Sequence, residues 1–167
     1  KNNWHDSYII YRNGFSQKAQ TLAKKGSYYT FIKSRSDSTS HEYEILIPED
    51  VISVSTDDVN YVSIYFDEEN YGMESWSFGK VLSGNQIQLI ETKFQYKTCA
   101  CATAGKFFHG YFLVYKNEHL KIKLDNSDII YNLNEIYSFM EKHNGFELSQ
   151  GINTLQDLID ALENINN

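Results

Sequence analysis

Cysteine is nearly missing from this chain, which holds only Cys99 and Cys101 in 167 residues. Two thiols cannot make a disulfide framework, so a core of this size must be held by burial alone. Proline is scarcer still, with Pro48 the only one, and long proline-rich linkers are thereby excluded. Basic charge is in deficit, with 15 Lys and Arg against 22 Asp and Glu and a net charge of -7. The densest basic runs are Lys24-Lys25 and Lys121 with Lys123. Nucleic-acid binding, which rests on clustered cations neutralising phosphates, is not expected at a pI near 5.2. No window approaches the ~18 consecutive apolar residues of a membrane-spanning helix. There is no G-x-S-x-G elbow, no phosphate-binding glycine loop and no two-histidine zinc motif, and no cofactor is expected.

What the chain does have is aromatic residues, 15% of the total, with 13 Tyr and 10 Phe. Such rings suit a pleated, half-buried surface. The length fits one domain over residues 1–167. The most conspicuous stretch is KFFHGYFLVYKNEHLKIKL, Lys106 to Leu124, which reads as two strands around Lys116-Asn117-Glu118. In its second arm Leu120, Ile122 and Leu124 alternate with His119, Lys121 and Lys123, the period of a strand with one buried face. Ser7 to Arg12 reads as a first strand, and Asn13-Gly14 is a hairpin signal. Phe15 to Ala23 fits either a returning strand or a short helix. Ser27 to Ser34 is strand-like, and Arg35 to His41 is a polar loop. In Glu42 to Ile47, Tyr43, Ile45 and Ile47 share a face before Pro48 interrupts the run. Val51 to Ser55 and Val59 to Phe66 form a further strand pair, and Trp76 to Leu82 fits a short helix or a strand end before Ser83-Gly84-Asn85. Ile87 and Leu89 then share a strand face, and Phe94 to Gly105 reads as an insertion or exposed hairpin.

The pattern changes after Leu124. Asn132-Leu133-Asn134-Glu135 has capping-box spacing, and Leu133, Ile136, Tyr137, Phe139 and Met140 follow as a helical stripe ending at Asn144-Gly145. Thr154-Leu155-Gln156-Asp157 repeats the capping logic, with Leu155, Leu158, Ile159, Leu162 and Ile165 on one face. Strands over 7–124 followed by helices over 127–166 predict an α+β fold. Its expected form is an antiparallel β-meander, or a small barrel-like sheet, carrying two C-terminal helices.

Chemistry-bearing candidates are few. Cys99 and Cys101 would point to one side of an extended strand, and with His109 they form the candidate metal set. Structural zinc usually takes four ligands, however, so unligated thiols or a reducible local bond are the expected state. The histidines at 5, 41, 109, 119 and 143 read as surface or turn residues, and the carboxylate groups at 49–50, 57–58 and 67–69 read as solvated turns. Among the aromatics, Trp76 and Tyr111 are the candidate ligand-binding residues, weighed against ordinary core and cross-strand packing.

Pro48-Glu49-Asp50-Val51 after a strand, and Val81-Leu82-Ser83-Gly84-Asn85-Gln86-Ile87 before one, together resemble a pattern in uncharacterised exported proteins of Bacteroidetes. The resemblance covers about half the chain, and Asn13-Gly14 and the Cys99-Ala100-Cys101 segment depart from it. It implies export to the periplasm or cell surface and carries over no catalytic residue. A first residue of Lys1 fits a mature exported chain, with a lipid anchor upstream as an alternative. The expected function is a non-catalytic, envelope-associated binding protein whose partner is a protein or a small-molecule or glycan ligand. The alternative is a hydrolase-like enzyme with a carboxylate or Cys/His site.

Overall fold

The computed structural model describes residues 4–23, 29–34, 43–66, 75–96, 106–144 and 151–165. The strands are β1 His5–Tyr11, β2 Ser16–Ala23, β3 Phe31–Ser34, β4 Tyr43–Ile45 and β5 Val51–Thr56. They continue as β6 Asn60–Phe66, β7 Ser75–Ser83, β8 Gln88–Tyr96, β9 Lys106–Tyr115 and β10 Glu118–Ile122. Helices α1, Leu133–Asn144, and α2, Leu155–Ile165, follow. All ten strands form one open antiparallel sheet in the order β10-β9-β8-β7-β6-β5-β1-β2-β3-β4, so the expected α+β meander is the observed architecture. One connection departs from simple succession, because β5 pairs with β1 and not with β4. The loops expected at 35–41 and 67–70 lie outside the described residues.

Local chemistry accounts for the first hairpin. Gly14 takes φ +88°, and the Asn13 side-chain oxygen accepts the Phe15 N–H at 2.9 Å. The ambiguous Ser16–Ala23 stretch is a strand, held by six residue pairings with β1 from Ile10↔Ser16 to His5↔Thr21. Between Ile10 and Tyr11 the register with β5 shifts, and Ile52 is left without a pairing partner as the extra residue of a bulge. Trp76 to Leu82 also lies in a strand, β7.

The chain gathers into two compact units. The first comprises Lys1–Lys80 and Thr92–His109. Its core is Ile9, Phe31, Leu46, Val51, Val54 and Phe78, all contributed by strands or the turns that end them. In the ladder β3 and β7 stand five strand steps apart, roughly 24 Å along a flat sheet, yet the Phe31 and Phe78 rings are 5.2 Å apart. The strands of this unit therefore roll, and their inner face closes on itself around Phe31. Tyr43, Ile45 and Ile47 do share a face, but it is the outer one, because Leu46 takes the inward position beside them.

The second unit comprises Val81–Glu91 and Gly110–Asn167. Here Ile87, Leu89, Leu113 and Ile122 of the sheet region pack with Ile136 and Met140 of α1 and Leu155, Leu158 and Leu162 of α2. The helical stripes thus face the strands as the periodicity expected. Each fully buried aliphatic side chain there contributes about 1.5–3 kcal/mol. The two caps differ. Asn132 does not offer its oxygen to the helix: its Oδ1 accepts the Lys123 N–H at 2.9 Å, while its Nδ2 donates to the Lys121 carbonyl at 2.8 Å. It therefore sews the end of β10 to the start of α1.

At α2 the box is reciprocal. Thr154 Oγ1 accepts the Asp157 N–H at 3.2 Å, and Asp157 Oδ2 accepts the N–H groups of Asn153 and Thr154 at 2.9 and 2.8 Å. Thr154→Ala is expected to cost about 1 kcal/mol in urea unfolding. The backbone N–H of Asn153, then that of Thr154, hold the Asp157 carboxyl below its ordinary value. A depressed pKa stabilises above the unfolded value and is lost as pH falls through the folded one. The stability gap between wild type and Asp157→Asn should accordingly be present at neutral pH and shrink below about pH 4.

Candidate functional site

Strand β1 pairs on both sides, and its register sets side chains from three strands into rows. On the outer face Lys18, Tyr8 and Ser55 stand opposite one another, and Gln20 and Asp6 form the adjacent row. Asp57 lies two residues beyond Ser55, just past the end of β5. Residues two apart on a strand point to the same face, so the two rows are ridges about 7 Å apart. Between them runs the backbone of Ser7, Ala19 and Thr56, whose own side chains belong to the other face. There the Ser7 and Thr21 hydroxyls share a buried 2.6 Å hydrogen bond. The result is a trough of about 620 Å³ lined by all nine of these ridge and floor positions: 6–8, 18–20 and 55–57.

Its walls are unlike each other. Tyr8 is 43% exposed and its hydroxyl donates to Ser16 Oγ at 2.9 Å, which leans the ring diagonally toward the Ile10–Ser16 row and turns its other side to the Asp6 row. Opposite, Gln20 Nε2 donates to Asp6 Oδ1 at 3.2 Å, leaving the second Asp6 oxygen, the Gln20 carbonyl and Asp57 on the polar side. One aromatic wall facing carboxylates and an amide can orient a ligand with an apolar face and polar edges. Sequence patterning does not bring these residues together, because they come from segments up to about fifty residues apart and only the β1–β5 pairing joins them.

The expected site residues fall elsewhere. Trp76 lies under the Arg12 guanidinium, 4.1 Å from its ring centroid, and against Tyr65 at 5.3 Å. Arg12 is itself fixed by donating to the carbonyls of Glu49 and Val51. The Tyr111 ring packs against the second unit's core, and its hydroxyl donates to Glu91 Oε2 at 3.3 Å. Burial, then the negative charge of Glu91, pushes the Tyr111 phenol up. His109 is exposed on β9, and Cys99 and Cys101 lie outside the described residues. Among the described residues, no three His, Cys, Asp or Glu side chains gather as a metal site.

Two polar clusters are built into the fold. Lys33 Nζ lies 3.1 Å from Glu44 Oε2, its cross-strand neighbour, and donates to the Tyr11 hydroxyl at 3.1 Å, while Gln17 donates to the same hydroxyl at 3.0 Å. Burial alone would lower the Lys33 pKa, but the hydrogen bonds and charges of Tyr11 and Glu44 outweigh it and hold it above the ordinary value. Kept charged, the ammonium ties β3 to Tyr11 of β1 and Glu44 of β4. His143 departs from the surface role expected of it. Its side chain is 6% exposed, stacked on Tyr115 at 4.4 Å and edge-on to Phe139 at 4.6 Å, with Nε2 3.1 Å from Glu118 Oε2. Lys142 reaches the same oxygen at 2.6 Å, and its hydrogen bond is the main reason the Glu118 carboxyl lies below its usual value. This group pins the end of α1 to the β9–β10 turn.

Fold and surface together define an α+β protein with an open antiparallel sheet that carries a trough on the outer face of its first unit. Compared with family models, with curated proteins and with solved structures, the chain matches none. Among the described residues, no helix is long and apolar enough to cross a membrane.

Proposed function

We propose that the protein is a non-catalytic, exported binding protein of the cell envelope, and that the trough over β1, β2 and β5 is its ligand seat. The observation that carries this reading is the trough itself, about 620 Å³ with one aromatic and one polar wall. That volume lies within the range of small-molecule sites, and its polar groups are held by strand pairing, which favours orienting a ligand over transforming it. The periplasmic or cell-surface location rests on the resemblance to exported Bacteroidetes proteins.

The test is an amide-resolved NMR screen of the isotope-labelled protein against separate pools of neutral sugars, amino acids, short peptides and nucleotides, followed by mass spectrometry of each pool. Hits are expected to move the amides of Tyr8, Gln20 and Thr56 and to be recovered chemically intact. Conversion of any hit, or perturbations that consistently avoid these amides, would overturn the reading.

A further inference from the structure

We propose that the trough binds a neutral saccharide, one ring seated between the Tyr8 side chain and the Asp6–Gln20–Asp57 wall. This rests on the reading that the trough is the ligand seat and adds the class of ligand. Three features of the geometry converge on it. The first is width: ridges set by a two-residue strand repeat are about 7 Å apart, which leaves room for a single layer of ligand, one ring standing on edge. The second is the unlike walls. A sugar ring presents C–H groups on its face and hydroxyls around its edge, so an exposed tyrosine ring on one side and carboxylate and amide oxygens on the other meet both surfaces at once.

The third is charge. Two carboxylates, Asp6 and Asp57, stand against one ammonium, Lys18, and this excess of negative charge disfavours phosphorylated or uronic ligands. Carboxylates also accept two hydroxyl donors each, the pairing that adjacent ring hydroxyls offer. The trough crosses three strands, roughly 10 Å between the outer two, enough for about two rings in line. Ser55 on β5 supplies a hydroxyl at one end, and Lys18 on β2 stands at the other.

The test is titration of the labelled protein with cellotriose, maltotriose and laminaritriose, with trigalacturonate as the acidic comparison. At least one neutral trisaccharide is expected to move the Tyr8, Gln20 and Thr56 amides in a saturable way, and trigalacturonate to bind more weakly. Tyr8→Ala should weaken that binding by about tenfold, the value of one aromatic contact. Tyr8→Phe, which keeps the ring and loses only the bond to Ser16, should retain it, and Asp57→Asn should weaken it a few-fold. Tyr8 is exposed, and a dispersed amide spectrum of each variant separates lost binding from lost folding. The saccharide assignment is overturned if no neutral trisaccharide moves these amides, or if a folded Tyr8→Ala binds as wild type does. Should amino acids or peptides move them while saccharides do not, the assignment fails and the ligand seat stands. If every probe leaves them unmoved, both fail.

Discussion

Phe31→Ala should lower the free energy of unfolding by about 3–5 kcal/mol, the range for emptying a well-packed aromatic site. Phe31 is 1% exposed and meets Tyr61 and Phe78 edge-to-face, with centroids 4.7 and 5.2 Å away. Each such contact adds about 0.5–1.5 kcal/mol beyond area burial. The loss is large because of where Phe31 stands in the ladder. It is the ring through which β3 touches β6 and β7 across the rolled face, so no neighbouring strand can collapse into the space without unrolling the sheet. Phe15, in the first hairpin, gives the control: it is 56% exposed, and its replacement by alanine should change stability by no more than about 0.5 kcal/mol. Urea unfolding followed by tryptophan fluorescence checks both, since Trp4 and Trp76 each belong to the unit that Phe31 holds together. A Phe31→Ala midpoint close to that of Phe15→Ala would mean that the roll is held by something other than this ring.

The parts of the fold legible in the residues are those whose cause is local. The α2 stripe from Leu155 to Ile165 and its Thr154–Asp157 box need no information from elsewhere in the chain, and both are found as expected. The β9–β10 hairpin is legible for the same reason, its two arms being adjacent and the second one alternating. Phe15–Ala23 fits helix and strand alike in sequence because Gln, Lys, Ala and Leu all favour helices. Pairing with β1 on one side and β3 on the other overrides that propensity. Asn132 shows a further limit: the capping pattern marks the helix start correctly and Nδ2 does reach Glu135 Oε2, at 3.4 Å, but the shorter bonds of the side chain go to the backbone of the preceding strand end, which spacing cannot reveal.

Illegible altogether is the step from β4 to β5. Strand succession places β5 beside β4, whereas β5 crosses to the far side of β1. The trough follows from that step, because Ser55 and Asp57 reach Tyr8 only through the β1–β5 pairing. Tyr8 carried no signal by itself: in Ser7–Arg12 it is one aromatic among apolar neighbours, and only register tells that Ile9 turns inward while Tyr8 turns out. Trp76 drew attention because it adjoins a turn, yet a tryptophan beside Arg12 is as well explained by the guanidinium that covers it.

Gly84→Ala is expected to cost about 2–4 kcal/mol, and Gly14→Ala only about 1 kcal/mol, although the two glycines have nearly the same φ. Gly84 has φ +90° and Gly14 φ +88°, so the penalty for placing a side chain in the left-handed region is common to both. What differs is the space. A Cβ at Gly14 meets nothing within 4 Å, whereas one at Gly84 would lie 2.0 Å from the Ile87 carbonyl oxygen. That oxygen belongs to the backbone of the same tight turn and cannot swing away as a flexible side chain would. Relief requires the turn to open, and both ends of it are anchored: Ser83 donates its hydroxyl to the Ile159 carbonyl of α2 at 2.8 Å, and Ile87 is buried among the residues that receive the two helices. The strain therefore passes into the core of the second unit, where Gly14 in its open hairpin has nothing to disturb. Parallel denaturant titrations of the two variants measure the difference directly, with the shared φ penalty cancelling. Equal losses would place the cost of both substitutions in backbone conformation alone and remove the close approach to Ile87 from the account of why this turn carries glycine.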